Sequence, residues 1–307
     1  MLSTSTAIIR LTSTDQPLPN EGPIQFDAPV VAKGQGLYYG LAQDHLGRIW
    51  VAARCSLVSD SLPTEAEQGR LVPLSRREAS TGAEANDRLS GLTSPRALRD
   101  LHDAAAHAGA LWSICSYDDA VGIYRFEEAS WTWWHPLERA PSGGPDQYHF
   151  NSLCFEDDLV WVLAHRRGPS WLLAFPVAAA LAGQTVPPVH HIKLGQQAHN
   201  IWRQPDGELC TCSSIEGVLL GERGWRLETG GFPRGVAKLA DGWVVGVSAL
   251  KERRERDFSD AHLLFYDGAW QLRHKVTLPK VGMVLDLLPI PRSEPLPVVG
   301  AQPVVVD

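Results

Sequence analysis

Short apolar runs, broken every few residues by turns carrying Asp or Gly, dominate this chain, and the pattern is that of β-hairpins. One phrase recurs: a polar opening, a short apolar strand, an acidic or Gly turn, then a Trp- or Val-rich strand. Residues 38–51 and 149–162 carry it at equal length, with Trp50 and Trp161 at the same place. Further copies run from His199 through Asp206 and Gly207 to Cys212, and from Pro233 through Asp241 and Gly242 to Val247. A looser one ends at 110–114. Most are followed by a second hairpin, such as 122–126 with 131–134. Four strands per unit, at a spacing of roughly 40–50 residues, describe a β-propeller blade.

Blades are predicted to start near residues 37, 98, 148, 198 and 232. A sixth is predicted from 282–289 and 298–306, completed by an N-terminal strand at 7–11. The expectation is an all-β single domain over 1–307, a β-propeller of six four-stranded blades closed by pairing of its N- and C-terminal strands. Stretches with a 3.6-residue period occur only at 97–107 and 63–68, too few for a parallel α/β architecture. Residues 56–95, rich in Ser, Thr, Glu, Arg and Gly, read as a long surface loop or a lid.

Composition narrows the function classes. Hydrophobic residues at 44% allow a large core, and a net charge of −7 argues against nucleic-acid binding by bulk electrostatics. No apolar run approaches the roughly 20 residues of a membrane span, and residues 1–20 lack the apolar core of a secretory signal. No nucleic-acid or membrane partner is expected. The five cysteines (Cys55, Cys115, Cys154, Cys210 and Cys212) have no zinc-ribbon spacing, and Cys210 and Cys212 share one face of a strand. They read as buried reduced thiols of a cytoplasmic protein.

The candidate chemistry lies where the inner strands of the blades begin, because there several blades can offer side chains to one point. These positions hold Tyr39, Asp100, His102, His149, Asn151, His199, Asn200, Arg234 and Asp286. The His and Asn pairs of blades three and four suggest a divalent transition metal (Zn, Fe, Cu or Ni) on His149, His199 and His165. Register counted from Trp161 and Cys210 aligns Asn151 with Asn200 and leaves His149 and His199 one residue out of step. The two imidazoles then converge only if one lies in the loop leading to its strand. A bound metal, a metal-free polar pocket and histidines bonding the next blade all remain open.

Asn151, Asn200 and Tyr39 are candidates for positioning a substrate. Arg234 offers a fork to a carboxylate or phosphate, or to carbonyls around the channel. Arg253 either reaches over the mouth or belongs to a solvated loop. Asp100 and Glu216 are the candidate proton-transfer carboxylates beside His149 and His199. Trp131, Trp133 and Trp134 read as a sugar-stacking platform or as packing between blades.

Several short motifs occur in order over residues 148–290. They are His149 with Asn151 and Ser152; Ala198 to Ile201; Cys212 to Ser214 with Glu216 and Gly217; Phe232 with Arg234 to Val236; and Gly246 to Ser248. Together they resemble a family of bacterial six-bladed propeller proteins associated with polysaccharide, glycoconjugate or secondary-metabolite gene clusters. Phe150 stands where that family has a second His, and Ala249 where it has Glu. The chain is more distantly similar to lactonase and strictosidine-synthase-like propellers, without their acidic calcium set. The resemblance implies a role in a biosynthetic pathway. Residues and resemblance together suggest a metal-assisted hydrolase, lyase or isomerase acting on a small polar metabolite at the channel mouth. The alternative is a non-catalytic propeller module that binds a glycan or a protein.

Overall fold

The computed structural model describes residues 1–13, 26–34, 36–54, 57, 62–74, 91–166, 168–252, 255–291, 296 and 298–306. Six antiparallel sheets stand in a ring, each with its first strand toward the central channel, and the chain is a six-bladed β-propeller. Blade one holds Tyr38–Gln43, Ile49–Ala53 and Arg70–Pro73 among the described residues. Blade two holds Leu101–His107, Ala110–Cys115, Ala120–Arg125 and Ser130–Trp134. Blade three runs from Phe150–Glu156 to His190–Gln196, and blade four from His199–Arg203 to Arg226–Glu228. Blade five runs from Phe232–Lys238 to Leu272–Leu278.

Blade six closes the ring differently from the expectation of a single N-terminal strand. Only its inner strand, Val284–Leu287, comes from the C-terminal region. Leu2–Thr4, Ala7–Ile9 and Pro29–Lys33 supply the other three. The predicted 298–306 segment is an outer strap instead. Gly300–Ala301 pairs with Pro29 and Val30 on blade six, and Val305–Val306 pairs with Val276 and Thr277 on blade five. The 97–107 stretch is no helix but contains the inner strand Leu101–His107, and 63–68 contributes only a 3-10 turn at Thr64–Ala66.

Core packing follows the alternation of each strand. Trp112 and Trp134 are fully buried between blades two and three, edge to face at 6.4 Å, and Trp134 meets Phe175 at 5.2 Å. Trp134 therefore belongs to the core. Trp131 and Trp133 are half-buried and stacked at 6.3 Å, and the Trp131 indole donates to Thr93 O. Cys115, Cys210 and Cys212 are buried free thiols whose pKa values burial pushes up.

The inner strands of blades one and two approach closely at Gly40. It sits at a bulge with φ +44, and a Cβ there would lie 2.0 Å from Ala104 N and 2.5 Å from Asp103 C in blade two. Overpacking and left-handed strain together make Gly40→Ala cost about 3 kcal/mol or more. A clear drop in the thermal unfolding midpoint is expected. An unchanged midpoint would mean that the two strands have slack at this point.

Candidate functional site

The inner strands begin, and the second strands end, at one mouth of the channel. There the backbone leaves its ordinary range at several non-glycine residues: Asp100 (φ 52), Asp146 (φ 57), His149 (φ 48) and Asn200 (φ 60). Such conformations are uncommon and cluster where side chains must be aimed. His149 precedes the strand Phe150–Glu156, whereas His199 is the first residue of its own. Its left-handed turn resolves the register mismatch, and the two rings face a common region.

Four imidazoles form a continuous arc. His102 and His149 have ring centroids 4.8 Å apart, His149 and His165 4.6 Å, and His165 and His199 5.7 Å. Tyr39 closes one end against His102 at 4.8 Å, and Phe232 closes the other against His199 at 5.7 Å. The arc thus draws rings from blades one to five.

The hydrogen bonds assign the protons. Ser214 Oγ donates to Pro233 O at 2.8 Å, so it accepts from His199 Nδ1–H at 2.8 Å. Blade two repeats the device: Ser116 Oγ donates to Phe150 O and accepts from His102 Nδ1–H at 3.0 Å. Asp146 accepts from His149 Nδ1, with its two oxygens at 2.8 and 3.0 Å. With Nδ1 committed in these three rings, Nε2 is the nitrogen left for a metal or a proton. Burial first, then His149 and Arg234, holds His102 well below the usual imidazole range. Burial, Arg234 and His165 do the same for His199.

Neighbouring rings of the arc are spaced as two imidazoles on one metal would be, about 5 Å between centroids. Among the described residues, the three donors whose ligand atoms all lie within 4.8 Å of one another are Asp100, Asp146 and His149, a set that shares one ring with the arc. Asp100 is already engaged there, with Arg54 Nη1 2.6 Å from its Oδ1 and Glu67 accepting its backbone N–H at 2.6 Å.

Arg234 is only 5% exposed, and its guanidinium lies 5.0 Å from the Tyr39 ring centroid. Burial lowers its pKa, with the Tyr39 hydroxyl acting in the opposite direction. Among the described residues no carboxylate forms an ion pair with it, whereas Arg54, 5.8 Å from the same ring, pairs with both Glu67 and Asp100. A buried cation without a direct counter-ion is costly, and an anion entering the mouth would supply one. Deeper in the channel, burial raises both Asp103 and Asp286, and their mutual repulsion adds to it at Asp103.

The remaining candidates sit as follows. Asn151 donates to Ala198 O at 2.7 Å and accepts from the Ser152 hydroxyl at 3.0 Å. Asn200 Oδ1 accepts from Gly235 N at 2.6 Å. These amides stitch blade three to four and four to five, as Asp286 stitches blade six to Leu41 N and Asp103 stitches blade two to Leu153 N. Glu216 is exposed and takes the Ser213 hydroxyl on the turn that begins with Ser214. Arg253 lies outside the described residues. Asp146, Ser116 and Ser214 join the site from outside the predicted set, and His102, expected at a strand opening, joins the arc. The sequence carried a signal for the two serines: His102 and Asp103 repeat His199 and Asn200, with Ser116 and Ser214 at similar distances downstream.

No known protein family and no curated protein matches the chain. Solved structures do match its fold. A nidogen/laminin complex aligns with a TM-score of 0.51 and 10% identity, over 89% of this chain and 91% of that one. A Bacteroides caccae protein of unknown function aligns with a TM-score of 0.50 and 10% identity, over 93% and 96%. Virginiamycin B lyase from Staphylococcus aureus aligns with a TM-score of 0.45 and 10% identity, over 90% and 87%. Propeller neighbours thus include an enzyme and a protein of unknown function, and likeness of this order shows the shared fold alone. The class defined by the coordinates is a six-bladed β-propeller with an imidazole-lined channel mouth.

Proposed function

We propose that this protein is a metal-assisted enzyme of the hydrolase, lyase or isomerase type, acting on a small anionic metabolite in a biosynthetic pathway. The observation that carries the reading is the imidazole arc, with Nδ1 anchored in three rings, beside a buried Arg234 that has no ion-pair partner among the described residues. His149, His165 and His199, joined by His102, would hold a divalent transition metal. When bound, such an ion supplies Lewis acidity to a substrate oxygen. The chain does the rest. Ser116, Asp146 and Ser214 fix the ring orientations, and Arg234 receives the anionic group of the substrate with Tyr39 behind it. Asp100, whose Oδ1 lies 3.5 Å from His102 Nδ1, is the carboxylate that would take up a proton, with Glu216 on the rim as the second.

Elemental analysis of protein purified without a metal-binding tag tests this reading. Close to one equivalent of a transition metal is expected, removable by a chelator. No metal even after reconstitution would overturn it. Saturable ligand binding that ignores the chelator, without turnover, would then identify a binding module.

A further inference from the structure

His165 has a second neighbour besides the arc. On its other side a cavity of about 550 Å³ opens over blade three, within the size range of small-molecule sites. Ala164 and His165 line it, and the His165 ring itself lies 4.6 Å from that of His149 in the arc. Leu137 and Tyr148, from the connection between blades two and three, form one wall, and Tyr148 directly precedes His149. Leu173 and Trp171 form the opposite wall. Tyr148 is held by stacking on Phe150 at 5.5 Å and by a hydroxyl bond to Glu138 O, whereas the Trp171 indole is left 40% exposed. Arg166 and Lys193 also line the cavity, and among the described residues no lining side chain is acidic.

We infer that this cavity is a second subsite of the same site, and that it takes a planar aromatic group of the anionic substrate. The inference rests on the proposed function and names the substrate class: an aromatic acid, with its charged end at Arg234 and its ring between Tyr148 and Trp171. Three features select this occupant. The walls are one fixed aromatic ring, one exposed indole and aliphatic side chains, which suit a flat apolar group. The two cations, unopposed by a lining carboxylate, favour an anion. Tyr148 and His165 connect the cavity to the arc, Tyr148 as the residue before His149 and His165 through its ring contact with His149.

The test needs neither metal nor turnover. The full chain is titrated with 8-anilino-1-naphthalenesulfonate, an aromatic anion whose fluorescence rises on apolar binding. One saturable site is expected. A Cβ on Gly168, which lines the cavity, would meet nothing within 4 Å, so Gly168→Trp fills space without strain. Gly168→Trp and Trp171→Ala are each expected to weaken the probe by about tenfold or more, the effect of losing one aromatic contact surface. Trp171 is exposed enough that its variant keeps the fold, which circular dichroism checks for both. Equal binding by wild type and both variants overturns the subsite. Displacement of the probe by a neutral oligosaccharide overturns the aromatic-acid assignment. Saturable probe binding by wild type that holds no metal even after reconstitution sinks only the metal reading, and metal binding by wild type without a saturable probe site sinks only the subsite.

Discussion

The double variant His149→Ala, His199→Ala is expected to stay folded and to retain no transition metal under conditions where wild type holds close to one equivalent. Structural zinc sites supply about 10–16 kcal/mol over four ligands, or roughly 3 kcal/mol per donor. Removing two donors therefore weakens binding by about 10⁴-fold or more. The fold is expected to survive because the losses are local. The Ser214 hydroxyl loses its partner Nδ1 while keeping its bond to Pro233 O, at a cost of about 1–3 kcal/mol. That is less than the 5–15 kcal/mol margin of an ordinary domain. Ser214→Ala alone leaves every donor in place but frees the His199 ring, so it should weaken metal by only about 10–100-fold. The graded pair separates ligand from support. Full metal retention in the double variant would move the site to Asp100 and Asp146 and remove the arc from the chemistry.

The blades were legible in the sequence because each hairpin repeats a local pattern of apolar strand, acidic or Gly turn and Trp-rich strand. Trp50 and Trp161 mark it, and turns such as Asp44 accepting from Leu46 N and Arg48 N show why those residues are there. The pattern failed where a strand was Ala-rich. Residues 101–107 have the composition of a helix, but the hydrogen bonds of Ala110–Cys115 and packing on blade one decide their conformation. His102 was placed at the opening of an inner strand all the same, but it was not grouped with His149, His165 and His199. Blade six was only partly legible, since Leu2–Thr4 and Ala7–Ile9 are too short to show a period and their partner lies at the far end of the chain.

Within the site, the histidines could be named but not aimed. The convergence of His149 and His199 depends on a left-handed residue, a backbone choice that a His only weakly announces. The fastening of blades by Asn151 and Asn200 involves partners 35–47 residues away, on blades whose rotation no local pattern encodes. Side chains that read as substrate contacts from their polarity are therefore also what holds the mouth in shape. Arg234 shows the reverse case. Its surroundings in the sequence suggested carbonyl bonding and anion binding equally; what the sequence did not show is that it is buried and, among the described residues, outside ion-pair distance of any carboxylate.

A chain lacking residues 1–9 is expected to lose cooperative unfolding altogether. These residues form the second and third strands of blade six, so their removal separates Val284–Leu287 from Pro29–Lys33 and opens the ring. Met1, Leu2, Ile8 and Ile9 are buried, in clusters that extend into blades five and one. At about 1.5–3 kcal/mol for each large side chain, the lost burial is about 6–12 kcal/mol, comparable to the whole stability of a domain. Two unpaired strand edges would be exposed as well, which favours aggregation over a stable five-bladed remnant. Calorimetry and near-ultraviolet circular dichroism read the outcome. Ile8→Asp tests the same closure at full chain length, since a charge at this fully buried position has no partner to offset its burial. A sharp transition near the wild-type midpoint in the shortened chain would show that the strap at Gly300–Ala301 and Val305–Val306 closes the ring unaided. The N-terminal strands would then be packing on an already closed propeller, not completing one.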